Sequence, residues 1–544
     1  MSPTSRLAGL DGTAVDVVVI GGGIAGAGAA RDLALRGVSV ALFEKGDFAS
    51  GTSSKSSKLI HGGLRYLELM DFALVRESLR EKKTLERLAP HLVHPLPFLV
   101  PVYRGSQRGL VKVRIGLLLY DLLTPGKTTD RFRVMRPVEA LSAEPHIQAE
   151  ELRGAGYYFD DLLLFPERLC LENVLSAIRH GARAYNYCEV EEFARGAAGV
   201  EGVRVRDLLS GSVHTVTAPV VVNCAGPWVD RLREMAGLAD ERARLLRTTK
   251  GIHCLLPRMT DRAVYLPTTD DRMIFVIPWR DFSLVGTTDT DFDGDPDRLW
   301  ATRDEVTYLL AAVAKVLPDR RVAFDNVVYT YSGVRPLSFE SGAAASKVSR
   351  QHKVIPEGPG GRFLSVTGTK LTCFRSLAED VGDRVMRALG RHAPSVTARR
   401  ALDGTDEEVG TVEARVWMDV SGEMAASGLA RETLGTLVET YGRAYPRVIE
   451  LARKLPDGTE RLCPENPEIV AQLHHAVGEE LAVSLQDVLL RRTGIGQSRC
   501  QGLDCAPAIG ARMASLLGWS RRRLDAELDA YHQGVERSVR FRQR

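Results

Sequence analysis

The hydrophobic pattern starts at Asp16-Val-Val-Val-Ile20, a β-branched run of the kind that suits a strand covered on both faces. Glycines follow at once. The small and apolar stretch after Gly26 then predicts a helix ending at Gly37, and Val38 to Phe43 reads as a second strand closing on Glu44. Together these make a βαβ opening. Strand and helix patterns keep alternating downstream, with strands expected from Val220 to Asn223, Met273 to Pro278, Phe282 to Val285 and near Phe363 to Val366. Residues 1–14 read as a polar tail. A polar joint lies at Ala401 to Gly410, and beyond it Arg431 to Lys454, Ile469 to Arg492 and Ala506 to Leu517 carry apolar residues three and four apart. The C-terminal part is therefore expected to be a helical domain, and no internal repeat or low-complexity tract interrupts the chain.

Composition narrows the class. A chain of 544 residues exceeds any single core at roughly 150 residues per domain. Its 72 Lys and Arg against 69 Asp and Glu leave a net charge of +3, so no basic field draws it to nucleic acid and any anion site must be local. With 44% hydrophobic and 26% charged residues it reads as an ordinary folded protein. Eight scattered cysteines suit a reducing compartment rather than a disulfide framework. No apolar run reaches the length of a membrane span. The nearest imitation, Ala14 to Ala30, is broken by Asp16 and by Gly21, Gly22, Gly23, Gly26 and Gly28, and a nucleotide loop explains it better than a signal peptide.

Gly21-x-Gly23-x-x-Gly26 follows a strand and opens a helix, and Glu44 closes the second strand. Glycines let the backbone approach a pyrophosphate on the helix N-terminus, while the Glu44 carboxylate can accept from ribose hydroxyls. An acid at this position argues against a 2′-phosphate and leaves FAD or NAD. The next segment, Thr52 to Glu68, is rich in small hydroxyl residues, lysines and paired glycines. It reads either as a second loop along a cofactor's phosphates, with Arg65 and Tyr66 facing a ligand, or as a Ser-rich loop capping a helix that begins near Leu64.

Ser56 to Glu68 resembles the signature of FAD-dependent glycerol-3-phosphate dehydrogenases, within the D-amino-acid-oxidase-like flavoproteins. Later motifs of that family are resembled in the same order by Asn223 to Trp228, Lys250 to His253, Phe275 to Trp279, Gly286 to Asp289, Tyr331 to Leu337 and Gly368 to Thr372. The likeness is strong over residues 15–390 and looser beyond. Two positions depart from the family's pattern: Thr369 stands where a second glycine is usual and Phe374 where tyrosine is usual.

The resemblance implies an α/β fold: a discontinuous Rossmann-like FAD-binding domain (about 15–95, 150–235 and 325–400), interleaved with a sheet-bearing substrate domain (about 96–149 and 236–324) and followed by the α-helical domain (401–544). It implies oxidation of sn-glycerol 3-phosphate to dihydroxyacetone phosphate, with hydride passing to FAD and electrons to a membrane quinone. FAD would be held by Gly21, Gly23, Ile24, Gly26, Glu44, Thr52, Ser53, Ser57, Lys58, Leu59, Val190, Ala225, Gly226, Gly368, Lys370, Leu371 and Thr372. Substrate would meet Arg65, Tyr66, Lys370, Arg335, His253 and Thr288, with the phosphate among Arg65, Tyr66 and Lys370. His61 is the first candidate base and Arg335 the group that holds developing alkoxide charge. Rival readings are an oxidase that returns the electrons to oxygen as hydrogen peroxide, an amine or hydroxy-acid oxidase, and a catalytically silent flavin-binding partner protein.

Cys500 and Cys505 resemble half of the iron-sulfur motif of anaerobic relatives, but no C-x-C pair supplies the other half, so two unligated cysteines and no metal are expected. Arg104, Arg108, Lys112 and Arg114 interleave with Leu110, Val111, Ile115 and Leu117 to Leu119, a pattern that fits an interfacial helix as well as an ordinary packed one. The resemblance implies peripheral attachment to the inner, cytoplasmic face of the cell membrane, and a homodimer is compatible with it.

Overall fold

Val17–Ile20 is buried at all four positions and lies inside a six-stranded sheet, which is what its unrelieved apolar pattern requires. The computed structural model describes residues 7 and 9–543, except 125, 127–129, 197–198, 239–243, 269–271, 321, 340–349, 369, 410–423 and 425–426. The sheet order is Lys353–Glu357, Phe363–Thr367, Val220–Asn223, Val17–Ile20, Val40–Phe43 and Arg183–Tyr185, parallel except for the first strand. The helix Ile24–Leu35 follows the central strand and packs between the helices Pro166–Arg179 and Phe374–Ala388. Gly28 makes the second contact possible, because a Cβ there would stand 3.0 Å from the Phe374 ring.

A ten-stranded sheet carries the other half of the site. Its main path runs Thr290–Asp291, Leu246–Pro257, Phe282–Gly286, Met273–Trp279, Ala263–Pro267, Val93–Tyr103, Leu152–Leu163 and Leu59–Ile60. Tyr329–Ser338 pairs with Leu246–Pro257 from the side, and Arg133–Met135 with Leu152–Leu163. This corrects the expected division of the chain. Leu152–Leu163 and Tyr329–Ser338 fall in segments assigned to the FAD domain, yet their hydrogen bonds join them to the substrate sheet, because long-range pairing and not local pattern decides a strand's sheet.

The N-terminal segment also differs from a tail. Leu7 and Leu10 are buried, and Thr13–Ala14 adds a parallel strand to Val213–Thr217 at the edge of a four-stranded sheet. In the C-terminal part, Ala506–Leu517 forms as expected, but the pattern from Arg431 to Lys454 folds as two helices, Arg431–Tyr441 and Tyr445–Lys454. Gly442 separates them with φ of 56°, a left-handed conformation that no long helix tolerates. The stretch from Ile469 to Arg492 is likewise divided, with Val470–Gly478 ending before a new turn capped by the Ser484 hydroxyl.

Buried ion pairs fasten this helical part to the FAD side. Asp47 accepts from Arg491 Nε at 2.6 Å, from Arg492 at 2.8 and 2.9 Å and from Asn186 Nδ2 at 2.9 Å. Arg168 pairs with both Glu172 and Glu480. Such charges are tolerated inside a protein because each finds an opposite partner.

Candidate active site

A cavity of about 980 Å³ runs from the glycine loop to the substrate sheet, at the carboxyl ends of the parallel strands. At its nucleotide end Gly21 N–H donates to the Phe43 carbonyl at 2.8 Å, which ties the loop to the neighbouring strand. A Cβ at Gly26 would stand 1.9 Å from the Gly21 carbonyl oxygen, and one at Gly21 would stand 2.5 Å from the Cys224 carbonyl. Only glycine fits at these two positions. Glu44 accepts from Gly22 N–H at 2.6 Å and from Gly46 N–H at 2.7 Å, so its carboxylate is held in a fixed pose at the cavity wall. Burial raises its pKa, and the two N–H donors oppose that rise.

Ser53 accepts from Ile24 N–H at 2.9 Å at the start of the helix, and the Thr52 hydroxyl donates to the Val334 carbonyl at 2.7 Å. These contacts bring the segment from Thr52 onward against the glycine loop, and a short helix, Arg65–Glu68, follows it after Leu64. The wall also includes Gly21, Gly23, Ser57, Leu59, Val190, Ala225, Gly226, Gly368, Lys370, Leu371 and Thr372. The cavity's size and shape, its glycine-lined approach and a buried Trp228 indole N–H without a partner among the described residues all suit a long dinucleotide such as FAD.

Two expected cofactor residues stand elsewhere. Gly26 lies behind the wall and acts through close backbone packing. Lys58 is turned away from the cavity: its ammonium is buried 4.5 Å from the Trp279 ring centre and 4.0 Å from Glu167. A positive φ of 55° points the side chain into the protein, opposite to what a phosphate contact would need.

The far end is cationic. Arg65, Arg272, Arg335, Arg350 and Lys370 line it, and Asp289 is the carboxylate they surround. Arg335 donates to Asp289 at 2.9 Å, to Thr287 Oγ1 at 2.8 Å and to the Thr288 carbonyl at 2.9 Å. Lys370 donates to the His61 carbonyl at 2.8 Å and to Ser78 Oγ at 2.9 Å, with its ammonium 5.2 Å from the Tyr66 ring centre. The Thr372 hydroxyl accepts from His61 N–H at 3.1 Å. His61 is thereby fixed through its backbone while its ring faces the cavity. Burial, then Lys370, Arg350 and Arg65, hold its pKa well below the ordinary value, so the imidazole is neutral.

His253 is held differently. Its Nε2 lies 2.9 Å from Ser57 Oγ and its ring stacks on Tyr331 at 4.8 Å. Burial keeps it neutral too. Thr288 is a correction: it is absent from the wall, and its hydroxyl accepts from Ile252 N–H at 3.0 Å inside the sheet. Its neighbours Thr287 and Asp289, in the turn between the strands Phe282–Gly286 and Thr290–Asp291, line the cavity instead.

Arg350 and Arg272 were not legible in the sequence. Arg350 lies 3.6 Å from Asp289 and stands outside every motif singled out in the sequence. Of the two departures from the family pattern, Phe374 is buried against Gly28, and Thr369 lies outside the described residues.

A second feature adjoins this end. The helix Leu110–Leu123 buries Val113, Leu117 and Tyr120 and exposes Val111 (73%), Ile115 (54%), Leu118, Leu119 and Leu122 (73%), next to exposed Met70 and Phe72. Tyr120 OH accepts from Gly62 N–H at 2.8 Å and donates to Asp160 at 2.6 Å, which connects the helix directly to the His61 loop. Among the described residues no helix is long and apolar enough to cross a membrane.

Comparison with known proteins agrees with this architecture. A family described as FAD dependent oxidoreductase matches residues 16–364, and the C-terminal domain of alpha-glycerophosphate oxidase matches residues 395–524. A glycerol-3-phosphate dehydrogenase of Synechocystis sp. is 37% identical over 97% of this chain and 98% of its own length. One from Mycobacterium leprae is 36% identical over 96% of this chain and 88% of its own. The crystal structure of a glycerol-3-phosphate dehydrogenase from Bacillus halodurans complexed with FAD superposes with a TM-score of 0.83 at 28% identity, covering 100% of this chain and 99% of that one.

Proposed function

The chain belongs to the FAD-dependent glycerol-3-phosphate dehydrogenases, and from that premise we propose that it oxidises sn-glycerol 3-phosphate at a membrane surface and delivers the electrons to a quinone. FAD, when bound along the cavity, supplies the two-electron acceptor for the hydrogen on the substrate's secondary carbon. The chain's own residues do the rest. Neutral His61 takes the hydroxyl proton as that hydrogen leaves, a role open to it because its lowered pKa keeps the ring unprotonated near pH 7. Arg335, clamped by Asp289 and Thr287, presents a fixed positive charge to the oxygen. The phosphate dianion falls to Arg65 and Arg350. Lys370 donates two of its three ammonium N–H groups to His61 and Ser78, and the third is left for the phosphate. This adds Arg350 to the expected phosphate set.

The observation that carries the quinone reading over an oxidase is the exposed apolar face of Leu110–Leu123 beside the active-site loop. Lys112 and Arg114 flank it, a composition suited to the anionic headgroup layer. Eight cysteines, none in a disulfide among the described residues, suit attachment on the reducing, cytoplasmic side. The test compares the full chain with Val111→Glu/Leu122→Glu. The expected result is flotation of the wild type with anionic vesicles, loss of flotation and of activity with vesicle-borne quinone in the variant, and unchanged anaerobic flavin reduction by substrate. Hydrogen peroxide release matching substrate consumption, with no vesicle binding, would establish the oxidase instead.

A further inference from the structure

The helical C-terminal domain gathers a group of side chains that substrate oxidation does not use. Cys463 lies ahead of the helix Val470–Gly478, and Cys500 and Asp504 lie ahead of Ala506–Leu517. The sulfurs of Cys463 and Cys500 are 3.7 Å apart, and the Cys463 sulfur is 4.0 Å from Asp504 Oδ1. One ligand atom from each of the three lies within 4.8 Å of the others. They thus surround a single point, with Cys463 buried, Cys500 half-buried and Asp504 at the surface.

Two thiolates bound at about 2.3 Å to one tetrahedral zinc stand about 3.8 Å apart. The observed spacing matches that arrangement and is far from the roughly 2.05 Å of a disulfide. Further polar groups address the sulfurs. Asn466 Nδ2 donates to Cys463 at 2.9 Å and to Cys500 at 3.5 Å, Gly502 N–H donates to Cys500 at 3.4 Å, and the Ser498 hydroxyl lies 3.3 Å from Cys500. Donors arranged around sulfur in this way orient metal-bound thiolates and spread their charge. A fourth group is at hand in Cys505, whose thiol contacts the Cys463 sulfur. Sulfur ligands exclude magnesium and calcium and select a softer ion.

We propose that Cys463, Cys500 and Asp504, with Cys505 beside them, bind one divalent cation of the zinc class. Bound there, the ion links the loop before Val470–Gly478 to the turn before Ala506–Leu517 and so fixes two parts of the helical domain 37 residues apart. This departs from the expectation of unligated cysteines, which rested on the missing C-x-C pair. A single ion has no need of that pair, since Cys463 supplies its ligand through the fold.

The test is a titration of chelator-washed, flavin-loaded full chain with cobalt(II) chloride. The expected result is tetrahedral d–d absorption in the red, beyond the absorption of oxidised flavin, saturating at about one equivalent and displaced by zinc(II). Cys500→Ser abolishes the bands with the flavin spectrum intact, and Asn466→Ala weakens affinity by about ten- to hundred-fold. Failure of the wild type to bind cobalt saturably overturns the proposal, whether or not any variant folds. So does iron with acid-labile sulfide in the purified protein, or retention of the bands in Cys500→Ser.

Discussion

Arg65→Met is the cleanest probe of the phosphate site. Among the described residues the Arg65 guanidinium makes no hydrogen bond or ion pair, whereas Arg335 holds Asp289 and Lys370 holds the His61 loop. Its pKa is lowered first by burial and next by Arg350, while Tyr66 and Asp289 act the other way; Arg350 already holds Asp289 at 3.6 Å, so Arg65 is the cation left without an ion pair among the described residues. Removing Arg65 orphans no partner, and the loss falls on the substrate. A charge-assisted hydrogen bond contributes about 1.5–3 kcal/mol, which corresponds to roughly a ten- to 150-fold fall in kcat/KM. The methionine keeps the apolar stem, and thermal stability should hold or rise as the repulsion from Arg350 disappears. The assay is anaerobic stopped-flow reduction of the flavin across a range of glycerol 3-phosphate and, separately, glycerol. The loss should appear mainly as weaker saturation with the phosphorylated substrate and be far smaller with glycerol. An unchanged kcat/KM for glycerol 3-phosphate, or equal losses for both, would refute the assignment.

Other consequences follow from the same geometry. Gly26→Ala places a methyl 1.9 Å from the Gly21 carbonyl, so the purified variant should carry markedly less FAD per chain by absorbance. His61→Gln should slow anaerobic flavin reduction at least about a hundred-fold with little change in substrate affinity. Because the His61 pKa is held well below 6.5, the wild-type reduction rate should stay flat as pH falls from 8 to 6.5; a decline centred near 6.5 would remove it as the base. Asp47→Asn breaks a buried pair with two arginines and should cost about 3–5 kcal/mol, read as a lower melting temperature of the flavin-loaded chain. Asp47 has its pKa lowered to about 2 from 3.8 by Arg492 and Arg491 against the cost of burial. Its contribution is therefore complete above pH 3.8 and is lost as pH falls through 2. Buried neutral His61, His91 and His253 act in the other window: the unfolded chain takes up protons that the folded chain refuses, so their stabilisation fades as pH drops below about 6.5.

Particular residues show how far the sequence carried. The βαβ opening from Val17 to Glu44 was legible because each signal in it is local: β-branched residues for a buried strand, glycines for close backbone approach, an acid at the strand's end. The cationic end was legible in part. Arg65, Arg335, Lys370 and His61 sit in recognisable motifs and meet in one cavity, yet Arg350 sits in none and reaches Asp289 only through the fold. Lys58 and Thr288 went astray because a motif marks a segment while the local backbone conformation and long-range hydrogen bonds decide where each side chain points.

By itself, then, the sequence determined the nucleotide-binding opening and the helical character of the C-terminal part, since these follow from short-range patterning and residue chemistry. Tertiary structure alone decided which sheet receives Leu152–Leu163 and Tyr329–Ser338, that Leu7 and Leu10 pack against the body, and that Arg350 joins Arg65. It also decided that Cys463 meets Cys500. Each of these joins residues far apart in the chain, and such meetings depend on how whole faces bury against one another, which no local pattern encodes.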